Sequence, residues 1–271
     1  MNRELRDKVV IITGASSGIG RALAIEAAKR GMKLSLAARR LDKLEQLKSQ
    51  LEVPSQNVLL VKTDVSKEQD CETLIKETVK AFQRIDVLIN NAGISMRALF
   101  VQSDIGVLKQ LMDVNFWGTV YCTKYAIPYL LETGGSIAGI SSIAGYKGLP
   151  GRTGYSASKF AIHGFLESLR IENLKTGLHV LLACPGFTQS NIRNTALGPD
   201  GKMQGESPRD EDKMMTADEV AHHILNAIQK RKRSIILTRQ GKLTVFLNKV
   251  IPGELDKLVF DHMSKETNAP F

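Results

Sequence analysis

The chain has 271 residues, 43% hydrophobic and 24% charged, with a formal net charge of +9. That length and balance fit one large or two small globular domains that bury their own core without disulfide or metal staples. Cys71, Cys122 and Cys184 are odd in number, far apart and without Cys-x-x-Cys spacing, which argues against a disulfide framework or a zinc site and for reduced, buried thiols in a cytoplasmic protein.

The polar start, Met1 to Lys8, has neither the apolar core nor the cleavage site of a signal peptide, and no run of ~18 apolar residues follows that would cross a membrane. Val9–Thr13 is predicted as a strand and Ile19–Lys29 as a helix ending at Gly31. Lys33–Ala38 is a strand, followed by a charged helix from Leu41 to Leu51. Val58–Lys62 is a strand, then a helix runs to about Phe82, and Val87–Asn90 is a strand. A long helical region covers Ile105–Leu131. Ser136–Ser141 is a strand, Tyr155–Leu174 a helix and His179–Ala183 a strand. After a loop-like lid, residues 187–215, come a helix over Ala217–Gln229 and a last strand, Ser234–Leu237. Such alternation implies right-handed crossovers and an α/β fold, a doubly wound parallel sheet of about seven strands with helices on both faces, in one domain over residues 1–240.

Positive charge gathers late in the chain. Residues 230–271 hold nine basic and four acidic residues, a local net of +5. Lys230-Arg231-Lys232-Arg233 reads as a phosphate-binding patch or, more simply, as the solvated end of a helix. No recognition motif accompanies it, so no nucleic-acid partner is expected. In the extension, residues 241–271, Leu243, Phe246, Leu247 and Val250 recur at helical spacing. Leu255, Leu258, Val259 and Met263 do so again past Pro252-Gly253. Two amphipathic helices with basic flanks lie on a membrane surface, cover a partner subunit or pack on the parent domain.

Thr13-Gly14-Ala15-Ser16-Ser17-Gly18-Ile19-Gly20 joins the first strand to the first helix. Glycines there allow a sharp turn and close approach to a pyrophosphate, and the helix N-terminus supplies amide donors and a positive dipole. The loop lacks a Gly-Lys-[Ser/Thr] ending, which argues against triphosphate hydrolysis. Arg39 and Arg40 end the second strand, where an NAD enzyme usually has an acid for the ribose hydroxyls. A guanidinium there pairs with a 2′-phosphate, which favours NADP(H) over NAD(H), unless both arginines only solubilise a helix start. Asp64 and Val65 close the third strand, where they flank an adenine, or Asp64 caps the next helix.

Tyr155 and Lys159 are four residues apart and share a helix face. A phenol with a pKa near ~10 is a poor acid–base group at neutral pH. The neighbouring ammonium is expected to stabilise the phenolate and lower that pKa. Ser142, at the C-terminal end of a strand, faces the crevice where such sheets bind ligands and is expected to hold a substrate oxygen. Asn115 is polar in a largely apolar helix. Its partner is a water relaying protons to Lys159, or it is an ordinary satisfied amide.

Taken together, Thr13-Gly14-x-x-x-Gly18-x-Gly20, Asn90-Asn91-Ala92-Gly93, Asn115, Ser142, Tyr155-x-x-x-Lys159 and Pro185-Gly186 resemble the short-chain dehydrogenase/reductase family, over about Lys8 to Leu237. The resemblance implies a Rossmann-like fold and an Asn115–Ser142–Tyr155–Lys159 tetrad. In it Tyr155 is the general acid/base, Ser142 orients the substrate, Lys159 also holds the nicotinamide ribose and Asn115 supports the relay. It further implies that Gly14, Ser16, Ser17, Gly18, Ile19 and Gly20 form the cofactor loop, that Asn91, Ala92 and Gly93 lie against the cofactor, and that Pro185, Gly186, Thr188 and Ser190 serve the nicotinamide carboxamide. The family often has Val or Ile where Thr188 stands and Thr where Ser190 stands. Ser16, Ser17, Arg39 and Arg40 fall where NADP(H)-preferring members bind the 2′-phosphate. A homodimer or homotetramer is implied too, through the long helical region and the Tyr155 helix.

Long loops inside a compact domain often bind ligands. Phe187, Ile192, Leu197, Met203, Met214 and Met215, with Leu149 and Ile94–Met96, are expected to line an apolar pocket, or simply to pack the lid. The expected function is therefore NADP(H)-dependent hydride transfer to or from a lipophilic carbonyl or alcohol, such as a steroid, a retinoid-like molecule or a fatty-acyl derivative. The alternatives are a catalytically silent dinucleotide-sensing scaffold and a basic nucleic-acid binder.

Overall fold

Runs of Val, Ile and Leu with no polar alternation give strands that are buried on both faces. The computed structural model, which describes residues 4–210 and 214–271, bears this out for the inner strands, whereas the two edge strands are partly exposed. The first three residues of the polar start and residues 211–213 of the lid lie outside the described residues. β1 (Val9–Thr13), β2 (Lys33–Ala38), β3 (Val58–Lys62), β4 (Val87–Asn90), β5 (Ser136–Ile140), β6 (His179–Cys184) and β7 (Ser234–Ile236) form one sheet. Its order is β3-β2-β1-β4-β5-β6-β7, and every pairing is parallel. This is the doubly wound, Rossmann-like sheet expected from the alternation, and its strand order reverses between β1 and β4.

Two apolar layers flank it. On one face Leu23 and Ala27 of α1 (Gly18–Lys29), Leu44 and Leu47 of α2 (Leu41–Lys48), and Ile224 and Ile228 of α7 (Ala217–Gln229) cover β1, β2 and β6. On the other, Leu74 of α3 (Glu68–Phe82), Cys122 and Leu130 of α5 (Gly118–Thr133), and Ile162 and Leu166 of α6 (Thr153–Glu172) pack on Ile11, Leu88 and Ile137. α7 starts at a capping box: Thr216 Oγ1 accepts from Glu219 N at 3.2 Å, and Glu219 Oε2 accepts from Thr216 N at 2.9 Å.

One sequence expectation changes. The region Ile105–Leu131 is not one helix: α4 (Ile105–Leu111) passes through a π-helical turn, Met112–Trp117, into α5. Such turns mark functional sites because the extra residue re-aims a side chain, and Asn115 lies in this one. The cysteines, distant in sequence, are not all distant in space. The neighbouring Cys71 thiol, together with burial, pushes the Cys122 thiol up, and Cys71 Sγ itself donates to Val65 O at 3.4 Å. All three remain free and buried.

Of the basic tetrad, Lys230, Lys232 and Arg233 are exposed, as at a solvated helix end, and Arg231 is part of the packing. Arg231 adopts a left-handed conformation (φ 49°), and its guanidinium donates to Gly134 O at 3.1 Å and to Gly177 O, on the turns that lead into β5 and β6. The C-terminal residues form α8 (Arg239–Val250) and α9 (Pro252–Met263), as the spacing predicts. They rest on the turn after β5: Asn248 Nδ2 donates to Tyr146 O at 2.9 Å, and Lys147 pairs with Asp256. Leu255 and Met263 are buried, whereas Leu243, Phe246, Val250, Leu258 and Phe260 are exposed. No helix among the described residues is long and apolar enough to cross a membrane.

Candidate active site

A cleft of about 450 Å³ opens at the C-terminal ends of β1–β6. Of the residues singled out for a dinucleotide, Gly14, Ser16, Ser17, Gly18, Ile19, Arg39, Arg40, Asp64, Val65, Asn91, Ala92, Gly93, Tyr155, Lys159, Pro185, Gly186, Thr188 and Ser190 all line it. Gly20 does not. It lies beneath the loop, where a Cβ would stand 2.2 Å from Gly14 O and 2.5 Å from Asn91 Nδ2. Gly14 has φ +66°, and its own Cβ would stand 2.9 Å from Ala92 Cα. The loop is thus a cradle that side chains would fill, which is the shape a diphosphate requires. Bare turns and paired guanidiniums fit a nicotinamide dinucleotide.

Sequence reasoning missed what holds the cradle. Thr13 Oγ1 accepts from Asn91 N and Ala92 N, each at 3.0 Å, and Asn91 Nδ2 donates to Thr13 O at 2.9 Å. A β-branched residue at a strand end reads as ordinary strand, and its partners are 78 and 79 residues away. Asp64 is not a helix cap. Lys67 holds that place for α3, and Asp64 Oδ1 accepts from Ser66 N and Oγ. Arg40 Nη2 lies 3.4 Å from Ser16 Oγ, so one basic and one hydroxyl group meet at the rim of the cleft.

Further in, Ser142 ends β5 in extended conformation, and its Oγ accepts from Ala144 N at 3.2 Å. Lys159 is buried, donates to Ile140 O at 2.9 Å and lies 5.7 Å from the centre of the Tyr155 ring. Burial lowers Lys159 from its ordinary value to about 8. The expected lowering at Tyr155 does not appear in the protein alone. Burial raises its pKa, and the Ser142 hydrogen bond and the charges of Arg152 and Arg193 only partly oppose this. Desolvation of the phenolate exceeds what the cations supply.

Asn115 lies behind the cleft, fully buried. Its Nδ2 donates to Ile94 O at 3.0 Å and to Ser158 Oγ at 2.8 Å, and its Oδ1 accepts from Ile94 N at 2.8 Å. These are the partners of an ordinary satisfied amide, the second of the two readings, and through them Asn115 fixes the Ile94 segment against the Tyr155 helix. Of the apolar candidates, Ile94, Ile192, Leu197 and Met203 line the cleft, and Arg193 and Thr195 join them. Met96 and Met215 pack into the core instead, Phe187 stacks under Arg209 at 4.0 Å, and Leu149 and Met214 are not on the cleft wall.

A doubly wound sheet with a glycine cradle at its switch point and a Tyr–Lys–Ser cluster at the far end defines a dinucleotide-dependent oxidoreductase. The chain matches the family described as short chain dehydrogenase over residues 8–198 and belongs to it, as an enzyme that acts on hydroxyl-bearing carbon with a nicotinamide cofactor. Among curated proteins it is 36% identical over 260 residues to "Dehydrogenase/reductase SDR family protein 7-like" of Dictyostelium discoideum, covering 93% of this chain and 81% of that one. It is 37% identical over 265 residues to "11-beta-hydroxysteroid dehydrogenase 1A" of Arabidopsis thaliana, covering 94% and 74%. A short chain dehydrogenase/reductase from Burkholderia phymatum, solved in complex with NAD, superposes with a TM-score of 0.82 at 26% identity over 94% of this chain and 96% of that one. An alcohol dehydrogenase from the archaeon Thermococcus sibiricus, complexed with 5-hydroxy-NADP, gives 0.75 at 25% identity over 86% and 96%.

Proposed function

We propose that the chain is an NADP(H)-dependent reductase/dehydrogenase whose substrate is a lipophilic carbonyl or secondary alcohol. One observation carries this reading: Tyr155, Lys159, Ser142, the glycine cradle and Arg39–Arg40 share one cleft. When bound there, the nicotinamide supplies or accepts the hydride. Ser142 Oγ holds the substrate oxygen beside the Tyr155 hydroxyl. A phenol kept protonated by burial is the right acid for reduction, since it gives its proton to the oxygen as negative charge develops. Lys159 lies close enough to stabilise the phenolate left behind, and Asn115 keeps the wall at Ile94 in register.

For the cofactor, Arg39, Arg40, Ser16 and Ser17 favour a 2′-phosphate, and no acid occupies the end of β2. For the substrate, Ile94, Ile192, Leu197 and Met203 give the outer cleft an apolar lining, and several relatives are named as hydroxysteroid dehydrogenases. The reading is tested by following NADPH absorbance with a panel of steroid, retinoid-like, acyl and small polar carbonyls. Tyr155→Phe is expected to lower kcat by about 10³-fold, and turnover of polar sugars alone defeats the lipophilic assignment.

The chain is further proposed to act as a homodimer or homotetramer, in the cytoplasm, where its buried free thiols stay reduced. Exposed Trp117 and Phe160, with Trp117 stacked on Tyr121 at 5.6 Å, mark an apolar outer face on α5 and α6. Phe160→Asp is expected to shift light-scattering mass to the monomer. The exposed apolar side chains of α8 and α9 offer a second such face, for a partner subunit or a membrane surface.

A further inference from the structure

Three walls of the substrate end meet at one carboxylate that the chemistry above does not use. Glu266, just beyond α9, is buried. Its Oε1 accepts from Arg209 Nε at 2.6 Å, and its Oε2 lies 3.1 Å from Arg152 Nη2 and 3.5 Å from Arg97 Nε. Arg209 belongs to the lid. Arg152 immediately precedes α6, three residues before Tyr155. Arg97 belongs to the segment that starts at Ile94 on the cleft wall.

Backbone bonds join the same parts: Leu197 N donates to Ser95 O at 2.9 Å, Arg97 N to Leu197 O at 2.8 Å and Ala98 N to Gly151 O at 3.0 Å. Arg209 is also held to the tail at His262 Nε2 (3.2 Å) and Met263 Sδ (3.3 Å), and Arg97 Nη2 donates to Thr267 O. From Arg209 the contact runs on to the Phe187 ring, next in sequence to Gly186 at the nicotinamide end. Burial pushes Glu266 up, but Arg152 and Arg209 outweigh it and hold the carboxyl below its usual range.

We infer that Glu266 is a latch through which the C-terminal segment holds the lid closed over the substrate. It is a positioning residue that acts through Arg209 and Arg152 without touching the reacting atoms. The lid has no helix or strand among its described residues and meets the body through single backbone bonds such as Leu197 N to Ser95 O and Asp104 N to Pro199 O, each at 2.9 Å. Beside these bonds, the buried charge-assisted hydrogen bond from Arg209 to Glu266 ties the lid to the C-terminal segment. Replacing Arg209 leaves Glu266 compensated by Arg152 and Arg97, so the loss falls on the lid's tie to the C-terminal segment.

The kinetic half of this inference rests on the reductase reading above; the conformational half does not. The test uses the full chain, with Arg209→Met, Arg209→Lys and Glu266→Gln compared by hydrogen exchange and by steady-state kinetics with NADPH. Arg209→Met is expected to speed exchange at the Gln189 and Leu197 amides roughly ten- to a hundredfold, with β1 and β4 unaffected. It is expected to raise KM for the carbonyl about tenfold more than it changes kcat. Arg209→Lys, which keeps the charge, restores part of both.

Glu266→Gln does the same or more. If it fails to fold, Arg209→Met carries the test, because Arg152 and Arg97 still compensate Glu266. Wild-type exchange in the lid of Arg209→Met overturns the latch, as does faster exchange spread evenly through the sheet with KM unmoved. A wild type that turns over no carbonyl overturns the reductase reading alone, and the lid exchange still decides the latch.

Discussion

The two ends of the cleft are built by different means. At the dinucleotide end the walls are strand ends and the turns after them, and Thr13 and Asn91 staple adjacent strands β1 and β4 together. At the substrate end the walls are the lid and the segment at Ile94, braced from behind by the C-terminal segment through contacts that span 57, 114 and 170 residues of sequence. The first end demands particular residues because backbone lies against backbone. The second is held by charges on flexible stems, so it can be refitted to new substrates without disturbing the cofactor.

Two glycines put that contrast to the test. Gly14→Ala must adopt φ +66° and place its Cβ 2.9 Å from Ala92 Cα, with backbone that cannot yield. The expected result is a loss of dinucleotide affinity of roughly a hundredfold, about 3 kcal/mol of strain and displacement. Gly205 in the lid has φ +81° but nothing within 4 Å of a Cβ. Gly205→Ala is expected to cost only about 1 kcal/mol of stability, with NADPH affinity unchanged. Fluorescence titration and thermal melts read both, and equal losses would erase the distinction between the two ends.

A smaller effect is expected at the rim. Arg40→Ala, made with Arg39→Ala, removes the cations nearest the Ser16 hydroxyl. NADPH affinity is expected to fall about tenfold or more while NADH affinity stays within about twofold. A parallel fall in both would mean that the arginines serve only the start of α2. It would also move the cofactor reading from NADP(H) to either dinucleotide.

The same contrast explains what the sequence made legible. The apolar runs at Lys33–Ala38, Val58–Lys62 and Val87–Asn90 fold as strands with those bounds; β2 and β4 are buried almost throughout, and the edge strand β3 is only partly buried. The cradle and the Tyr155–Lys159 pair were legible because their chemistry is local: a turn, or one helical step. The π turn at Asn115 was not, because a helix with one extra residue per turn uses the same side chains as a regular one. The Glu266–Arg209–Arg152–Arg97 cluster and the Cys71–Cys122 contact were hidden for another reason. Each is an accident of tertiary packing between elements that are remote in sequence, and nothing in the residue types themselves marks the pairing. Tyr155 gave the most instructive miss, since spacing reports which charges are near but not how completely water has been removed.

That miss supplies the finest test of how burial and charge divide the site. Lys159 is lowered from an ordinary 10.5 to about 8 by burial, so it is charged below that value and loses its proton as pH rises through it. Tyr155 is raised by burial, so its own proton stays on across the same window. The limiting event on the alkaline side is therefore the loss of the ammonium, not of the phenol proton. In the reductive direction, kcat/KM for NADPH, which reports groups of the free enzyme, is expected to be level from pH 6 to about 7.5 and then to fall about tenfold per unit above 8. Lys159→Arg keeps a cation in place at lower activity and is expected to flatten that limb, because a guanidinium does not titrate in this range. A wild-type profile level to pH 9.5 would mean that the ammonium keeps its proton despite being buried. The phenol and the amine would then share their environment as the helix spacing alone implies.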